Sequence, residues 1–317
     1  MNMNFGKVAI LCGGYSAERD VSLMSGKAIY KALISKNIDA CLFDIKYNNI
    51  CELKSLGIKR AFISLHGRYG EDGIIQGALE LIGIPYTGSG PLTSSLCMNK
   101  IITKYIWMQY NLPTPAFTIF NKNTKSDFYK KSFDFPVIVK PASEGSTLGI
   151  LKAITINDLK HAIDQALLYD KEILIENFIY GRELTVGIIN NGINDINILP
   201  IIEIITPNNN YDYEHKYFSN ETQYFCPASL DKYIYDKIIN FCELSYKIFK
   251  CEGSVRIDMI LDDKNEIWLL EINTVPGMTE HSLLPLAAQA SGLSYEDLCI
   301  IILSSASCKY NKIINKN

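Results

Sequence analysis

The sequence predicts an α/β protein whose first third forms an open parallel sheet and whose remaining two-thirds are of the α+β type. In the first third, short apolar runs alternate with helical patterns, which is the order of elements in a parallel sheet. After Pro113 and Pro115 the apolar runs follow one another with fewer helices between them. This change of pattern indicates that the chain enters a second structural unit.

The elements of the first third place two loops where ligands are expected. Strands are predicted at residues 7–12, 39–45 and 60–65, and helices at 73–82 and after residue 20. Asp20 is expected to cap that earlier helix, whose apolar positions are Val21, Met24, Ala28 and Leu33. Because ligands bind at the carboxyl ends of parallel strands, the loops after Cys12 and Leu65 are expected to carry chemistry.

The later elements are mostly strands. They are predicted at 116–120, 135–140, 150–153, 172–176, 183–189 and 196–205, with helices at 157–169, capped by Asn157, and at 230–250. A β-hairpin over 253–274 and two further helices complete the chain. The polar segment 208–223 is rich in Asn and Tyr and too long for a simple turn, so we expect it to be a lid.

Composition excludes several classes of protein. With 31 Lys and Arg against 34 Asp and Glu, the net charge is −3, and a nucleic-acid binder normally shows a basic excess. Nine cysteines without a Cys-x-x-Cys pair, and four histidines without ligand spacing, argue against disulfides and zinc. No apolar run reaches the ~18 residues of a membrane span, and residues 1–6 lack the pattern of a signal peptide. We therefore expect a cytoplasmic protein that contacts neither nucleic acid nor membrane.

The predicted hairpin contains the most informative pattern. Alternation assigns Val255, Ile257, Met259 and Leu261 to one face of its first strand and Arg256 and Asp258 to the other; in the second strand it assigns Trp268, Leu270 and Ile272 to one face and Glu271 and Asn273 to the other. A turn centred on Lys264 and Asn265 places Asp258 opposite Glu271, and Arg256 opposite Asn273. Facing carboxylates repel each other unless a cation lies between them.

Two interpretations of these acids remain open. The first is a solvated outer face on which Arg256 offsets the charge. The second is a magnesium site, because Mg²⁺ commonly takes one or two carboxylates and leaves positions for phosphate oxygens. The strand continues into Thr274-Val275-Pro276-Gly277, a turn that is more typical of a binding site than of a plain sheet edge.

Other candidate sites are each weak alone. The small residues of 141–149, with Lys140 before them, are able to close over an anion, although a plain hairpin connection has the same pattern. The strand ending at Glu176, with Glu183 after it, is suited to an adenine and a ribose, or is a strand end with a surface charge. Glu18 and His66 follow predicted strands and are suited to an ammonium and a carboxylate, and a structural loop histidine is the alternative for His66.

Taken together, these residues resemble the ATP-grasp carboxylate–amine ligases, and within them the D-alanine–D-alanine ligases. The resemblance runs from Val8 to about Leu303. Its motifs are Gly-Gly-x-Ser-Ala-Glu-Arg-Asp-Val-Ser at 13–22, Leu-His-Gly-Arg at 65–68, Gly-Glu-Asp-Gly at 70–73, Pro-Tyr-Thr-Gly-Ser at 85–89, Glu-Gly-Ser at 144–146, Tyr-Asp-Tyr-Glu at 211–214, Lys-Tyr at 216–217, Arg-Ile-Asp at 256–258 and Glu-Ile-Asn-Thr-Val-Pro-Gly-Met-Thr at 271–279. It implies an ATP-grasp architecture: an N-terminal α/β domain at 1–98, a central domain at 99–185 and a C-terminal domain at 186–317, the last two clamping ATP.

The resemblance also implies a reaction and a role for each matching residue. ATP would phosphorylate one D-alanine, and the amino group of a second would attack the acyl phosphate. The nucleotide would contact Lys100, Lys140, Glu144, Ser146, Glu176 and Glu183, and one or two Mg²⁺ or Mn²⁺ ions would be held by Asp258, Glu271 and Asn273. Arg256 and the N–H of Gly277 would form an oxyanion hole. The first D-alanine would be bound by Glu18, Ser146, Tyr217 and His66, and the second by Lys216 and Ser282. A homodimer is implied as well.

Two residues depart from the family pattern, and two rival functions remain. Asn177 stands where Lys is common, and Val275 where Ser is common. A D-alanine–D-lactate ligase is the nearest rival, but those enzymes tend to carry His near the position of Tyr217. The other rival is a two-lobed amino-acid-binding protein without catalysis, which has no need for a row of acids on a hairpin.

Overall fold

The computed structural model describes residues 4–124, 128–129, 132–145, 148–190, 196–206 and 222–310. Its strands in these ranges form three sheets, of three, four and six strands. The first is parallel and the other two are antiparallel. The predicted change from a parallel α/β sheet to α+β is therefore confirmed.

The N-terminal sheet contains the three predicted strands. They are β1 (Val8–Cys12), β2 (Ala40–Asp44) and β3 (Arg60–Ile63), and the order in the sheet is β2-β1-β3. Four helices lie in or after this unit: α1 (Arg19–Ser35), α2 (Ile74–Ile82), α3 (Pro91–Met98) and α4 (Lys100–Gln109), together with a short 3-10 helix at Ile50–Leu53. The sequence patterns did not reveal α3 or α4.

Helix α1 corrects the predicted cap. Glu18 occupies the N-cap position and Asp20 lies inside the first turn, where its charge favours the positive end of the helix dipole. The buried face includes Ser22, Ser25 and Gly26, whereas Met24 is exposed. The predicted apolar positions Val21 and Leu33 are buried on this face, whereas its small residues were not predicted. They allow α1 to pack closely, since a Cβ at Gly26 would lie 2.7 Å from that of Cys12.

Among the residues that the structure describes, the central unit is a four-stranded sheet with one helix. Its strands are β4 (Phe117–Asn121), β5 (Val137–Pro141), β6 (Leu151–Ala153) and β7 (Glu172–Asn177), in the order β4-β7-β5-β6, and its helix is α5 (Ile156–Ala166). The expected cap at Asn157 is wrong. Thr155 caps α5 through a capping box in which its hydroxyl accepts from the Asp158 N–H, while the Asp158 carboxylate accepts from the Thr155 N–H.

The C-terminal sheet contains the remaining strands. They are β8 (Gly181–Asn190), β9 (Ile196–Ile198), β10 (Ile202–Ile205), β11 (Gln223–Phe225), β12 (Val255–Asp262) and β13 (Ile267–Asn273), and the helices are α6 (Lys232–Ile248), α7 (Leu283–Ala290) and α8 (Tyr295–Ser304). The single strand expected at 196–205 is broken between β9 and β10, where Pro200 has no N–H for the ladder. Both pieces pair with β8.

The N-terminal and C-terminal units share one hydrophobic core. Val8 and Ile10 of β1 belong to the same buried cluster as Leu298 and Ile302 of α8. Backbone contacts join the units as well, because Tyr86 pairs with Ser307 and the Ser89 hydroxyl bonds both the carbonyl and the N–H of Glu252. The first and last described elements of the chain thus belong to one packed body.

The division into domains at 98 and 185 stays a prediction. The proposed second boundary falls inside β8, which pairs with β12 from Gly181 onward, so the sheets themselves change between Asn177 and Gly181. All nine cysteines lie in the described ranges and are free thiols. Over those same ranges, no single helix has the length and apolarity to cross a membrane; α7 and α8 together meet that criterion by length and composition only.

Candidate active site

The β12–β13 hairpin has the predicted register at its open end. Asp258 pairs with Glu271 and Arg256 pairs with Asn273. A β-bulge follows, since Met259 pairs with Leu269 and Leu270 is the extra residue.

The bulge overturns part of the predicted alternation. Ile267, Leu269 and Ile272 are buried in the core, whereas Trp268 and Leu270 are only half-buried. One inserted residue reverses the faces of a strand, so Trp268 and Leu270 do not share the face of Ile272.

Asp258 is held by two neighbours. The Arg256 guanidinium donates to it through Nε at 2.8 Å and Nη2 at 2.7 Å, and the Thr185 hydroxyl donates at 2.6 Å. Thr185 lies on β8, directly across from Asp258. Sequence reasoning missed this hydroxyl because the pairing of β8 with β12 was not derivable from a local pattern.

A cavity of about 160 Å³ lies beside the hairpin. Several predicted site residues line it: Glu18, Lys100, Glu144, Arg256, Glu271, Asn273, Gly277 and Ser282. They come from α1, α4, the loop after β5, the hairpin and the turn before α7. Residues far apart in sequence therefore meet around one space, as an active site requires.

Lys100 bridges two sides of this cavity. Its ammonium donates to the carbonyl of Glu144 at 2.5 Å and lies 3.4 Å from Glu271 Oε2. The Glu144 side chain in turn forms an ion pair with Arg68. Burial raises the pKa of Glu144, although the Arg68 charge opposes that effect. The Lys100 ammonium thus lies between the loop after β5, which is the candidate anion-binding loop, and the acidic side chains of the β12–β13 hairpin.

Glu18 is packed against two glycines. Its carboxylate is almost fully buried, and a Cβ placed on Gly67 or Gly145 would lie 2.5 or 2.6 Å from its Oε2. The close approach of both backbones requires residues without a side chain. Glu18 is thereby fixed between the loop after β3 and the loop after β5.

His66 belongs to a buried network beneath the cavity. Its Nδ1 lies 3.1 Å from the carbonyl of Val275 and 3.4 Å from Glu71 Oε1, and its Nε2 lies 3.4 Å from the Ser25 hydroxyl. Burial lowers the pKa of His66, but the hydrogen bond and charge of Glu71 outweigh it and the net shift is upward. Burial raises the pKa of Glu71 to about 7. Glu71 lines the cavity and was not among the predicted site residues.

A buried ion cluster lies on the central sheet. Glu176 is 2 % exposed, and its two carboxylate oxygens lie 2.5 Å from Lys140 Nζ and 2.8 Å from Lys104 Nζ. Burial raises the pKa of Glu176, but the two ammonium charges outweigh it and hold that pKa at about 2. Lys104 was also missed, although it follows Lys100 by one helical turn and so shares its face.

The turn before α7 is organised by Ser282. Its hydroxyl accepts from the Thr279 N–H at 3.0 Å and bonds the Thr279 hydroxyl at 2.7 Å. A Cβ on Gly277 would lie 2.9 Å from that hydroxyl. Gly277 and Ser282 are therefore neighbours on the cavity wall.

Two family models match the chain: one described as the D-ala D-ala ligase C-terminus over residues 106–304, and one described as the N-terminus over residues 50–89. The D-alanine–D-alanine ligase of Bordetella pertussis is 53% identical over 309 residues, covering 98% of each chain. The ligase of Herminiimonas arsenicoxydans is 47% identical over 311 residues, covering 96% of this chain and 93% of the relative. A crystal structure of D-alanine–D-alanine ligase from Bacillus anthracis complexed with ATP aligns with a TM-score of 0.80 at 30% identity, covering 95% and 97%. This chain belongs to the D-alanine–D-alanine ligase family.

The three sheets of the ligase are thus an ATP-grasp fold, as the sequence motifs implied. Not every predicted site residue falls within the described residues of the ligase: Ser146, Lys216, Tyr217 and most of the lid segment 208–223 lie outside them. His66, Lys140, Glu176, Glu183 and Asp258 are described but do not line the cavity itself.

The donor set of the hairpin fits Mg²⁺. No group of three or more His, Cys, Asp and Glu side chains suited to a metal occurs among the described residues of the ligase. Asp258 and its cross-strand partner Glu271 instead offer two carboxylates, and Asn273, two residues after Glu271, offers an amide. Mg²⁺ commonly uses few protein oxygens because phosphate and water complete its shell. In the structure each acid has a cation beside it, Arg256 at Asp258 and Lys100 at Glu271. These cations offset the repulsion between the two facing carboxylates.

Proposed function

We propose that the chain joins two D-alanine molecules into D-alanyl-D-alanine at the expense of ATP, as a step in making peptidoglycan precursors. The observation that supports this proposal most directly is that one cavity is lined by Glu18, Lys100, Arg256, Glu271 and Gly277 together. Family membership supports the reaction, since the relatives are named for it.

The first step activates a carboxylate. A carboxylate oxygen of the first D-alanine attacks the γ-phosphorus of ATP, the bond to ADP breaks, and an acyl phosphate forms. Lys100 and Lys140 place ammonium charges against the phosphates, which is the positioning and charge neutralisation that phosphoryl transfer needs. Mg²⁺ held by Asp258, Glu271 and Asn273 would supply further positive charge to the phosphate oxygens.

The second step forms the peptide bond. The neutral amino group of the second D-alanine attacks the acyl carbon and forms a C–N bond. The tetrahedral intermediate then breaks its C–O bond to phosphate, and the leaving phosphate takes up the proton that the nitrogen releases, which leaves the dipeptide. Arg256 and the Gly277 N–H donate to the developing oxyanion. Ser282, with Lys216, receives the carboxylate of the second D-alanine, and its position beside Gly277 supports this role.

The nucleobase is assigned to Glu176 and the ribose to Glu183, with Glu144 and Ser146 near the phosphates. The Glu176 carboxylate is buried and lies between two ammonium groups, with Lys140 at one oxygen and Lys104 at the other. A carboxylate fixed in this way is suited to accept from the amino group of adenine.

The first D-alanine is assigned to Glu18, helped by Ser146 and Tyr217, with His66 near its carboxylate. The fixed, buried carboxylate of Glu18 is suited to an ammonium group, because a charge-assisted hydrogen bond is strongest where water is excluded. The His66–Glu71 network supports the neighbouring loop.

Replacing Gly145 by alanine tests the role of Glu18. The new Cβ would displace the Glu18 carboxylate, so we expect the KM for D-alanine to rise about tenfold while the KM for ATP stays near its original value. Steady-state kinetics measure both. The matched control is Gly77→Ala, since a Cβ there meets nothing within 4 Å; it should leave both constants unchanged and stabilise α2 by up to about 1 kcal/mol. An unchanged KM for D-alanine in Gly145→Ala would count against Glu18.

Replacing Glu271 by glutamine tests the metal assignment. The amide keeps the shape of the side chain but removes its charge, so we expect turnover at saturating Mg²⁺ to fall by about 100-fold or more. Glu266→Gln on the same hairpin is the control, because that exposed side chain pairs only with Lys237 in the described contacts. If Glu271→Gln kept the original turnover, the metal assignment would be wrong.

Phosphate release from ATP tests the reaction as a whole. We expect release with D-alanine and none with L-alanine or without amino acid; no D-alanine-dependent release would leave the non-catalytic amino-acid-binding protein as the better account. Equimolar D-alanine and D-lactate at neutral pH separate the remaining rival. Mainly dipeptide supports the proposal, and mainly depsipeptide would overturn it.

We also propose that the enzyme is a cytoplasmic homodimer that binds ATP and D-alanine but neither nucleic acid nor membrane. The family resemblance supports the dimer, and the balanced charge supports the lack of nucleic-acid binding. Light scattering of the purified protein measures the oligomeric state, and a monomeric mass would contradict the dimer.

A further inference from the structure

Lys104 is a charged side chain that the proposed mechanism does not use. It is completely buried in α4, with 0 % of its side chain exposed, and its Nζ lies 2.8 Å from Glu176 Oε2. Burying an ammonium group is costly unless a partner compensates its charge. A lysine in this position therefore has a specific relation to Glu176.

The ammonium of Lys104 is anchored from the opposite side. It donates to the Thr114 hydroxyl, which in turn donates to the carbonyl of Leu269 at 2.8 Å. The Leu269 N–H donates to the carbonyl of Pro113 at 2.9 Å, so the segment carrying Thr114 is fixed to β13 beside the bulge. Lys104 consequently holds its position independently of Glu176.

Lys140, the other cation at Glu176, has a second task in the proposed mechanism. It lies nearer the surface, with 12 % of its side chain exposed, and is assigned to the phosphates of ATP. When its ammonium turns toward a phosphate, Lys104 becomes the remaining cation against Glu176.

We propose that Lys104 is a positioning residue, which keeps Glu176 ionised and aimed at the amino group of a 6-aminopurine nucleotide. The inference rests on the proposed function, because the adenine role of Glu176 belongs to it. Lys104 itself touches no substrate in this account and acts through Glu176.

The charges around Glu176 define the expected pH dependence. Lys104 on α4 and Lys140 on β5 face it directly, while Glu183 on β8 and Glu271 on β13 act on these lysines at longer range. Burial raises the pKa of Glu176 and the two lysines lower it. Removing Lys104 should therefore let Glu176 take up a proton at a higher pH, and a protonated carboxyl is a weaker acceptor for an amino group.

The test compares ATP with inosine triphosphate, whose base carries a carbonyl in place of the amino group. For Lys104→Met we expect the ratio of kcat/KM for ATP to that for inosine triphosphate to fall about tenfold. We also expect its KM for ATP to rise as the pH falls from about 8 to about 6, with the KM for D-alanine unchanged. Lys237→Met, which removes a half-buried lysine paired with Glu266, should show neither effect.

A double variant separates an effect of Lys104 through Glu176 from a general effect of the Lys104 substitution on folding. If Lys104 acts through Glu176, Lys104→Met/Glu176→Gln should have the same nucleotide selectivity as Glu176→Gln alone. A further loss of selectivity in the double variant would overturn the proposal, as would Lys104→Met with the original selectivity and a flat pH profile. An unaltered chain without D-alanine-dependent phosphate release would instead refute the proposed function.

Discussion

Arg256→Lys should lower kcat by about 10²–10³-fold, because the forked guanidinium is replaced by a single ammonium group. The charge beside Asp258 is kept, so the effect isolates the geometry of the donors. Since the lost interaction is made to the transition state, kcat and kcat/KM for D-alanine should fall together. Initial-rate kinetics with ATP and D-alanine measure both.

The matched control is Arg182→Lys on the same sheet. Arg182 donates two hydrogen bonds to Glu203, from Nε at 2.7 Å and from Nη2 at 2.6 Å, in the same way that Arg256 donates to Asp258. Arg182 does not line the cavity. Its replacement should leave kcat unchanged. If Arg256→Lys turned over as fast as the parent enzyme, the oxyanion assignment would fail.

Glu176→Gln should destabilise the fold by about 3–5 kcal/mol, because it leaves two buried ammonium groups without their counter-charge. Urea unfolding at neutral pH measures the loss. Glu172→Gln is the control: Glu172 lies on the same strand but is exposed, so its replacement should have little effect. Equal stabilities of the two variants would contradict the electrostatic role of the cluster.

The same cluster predicts the direction of an acid effect. The pKa of Glu176 is held at about 2, below its ordinary 4.5, so its stabilising contribution is complete above pH 4.5 and is lost as the pH falls toward 2. The unfolding free energy of the parent should decrease over this interval more steeply than that of Glu176→Gln. Parallel curves would show that Glu176 does not contribute.

The sequence was sufficient for much of the fold and for the central part of the site. Strand positions followed from apolar runs, and the pairing of Asp258 with Glu271 followed from counting residues back from the hairpin turn. The bulge at Leu270 was not predictable in this way. An extra residue leaves the strand apolar and changes only which face of the sheet the following side chains occupy.

Contacts between distant segments were the main omission. The hydroxyl of Thr185 and the ammonium of Lys104 reach their acids only through sheet pairing and helix packing, and neither carries a local pattern. Both predicted caps were two residues too late, since the N-caps are Glu18 and Thr155 and several polar residues stand together at each helix start. The roles of all the assigned site residues stay predictions, and Ser146, Lys216 and Tyr217 lie outside the described residues.

The core shared by β1 and α8 has a consequence for synthesis of the chain on the ribosome. Val8 and Ile10 are made about 290 residues before Leu298 and Ile302, which belong to the same buried cluster. At 5–20 residues per second, that interval is roughly 15–60 s. During this time α1 is able to pack on β1, since Ile29 and Leu33 belong to the same cluster, but the members of that cluster on α8 are still missing. An apolar surface on the nascent N-terminal unit is therefore available to holding chaperones until α8 emerges.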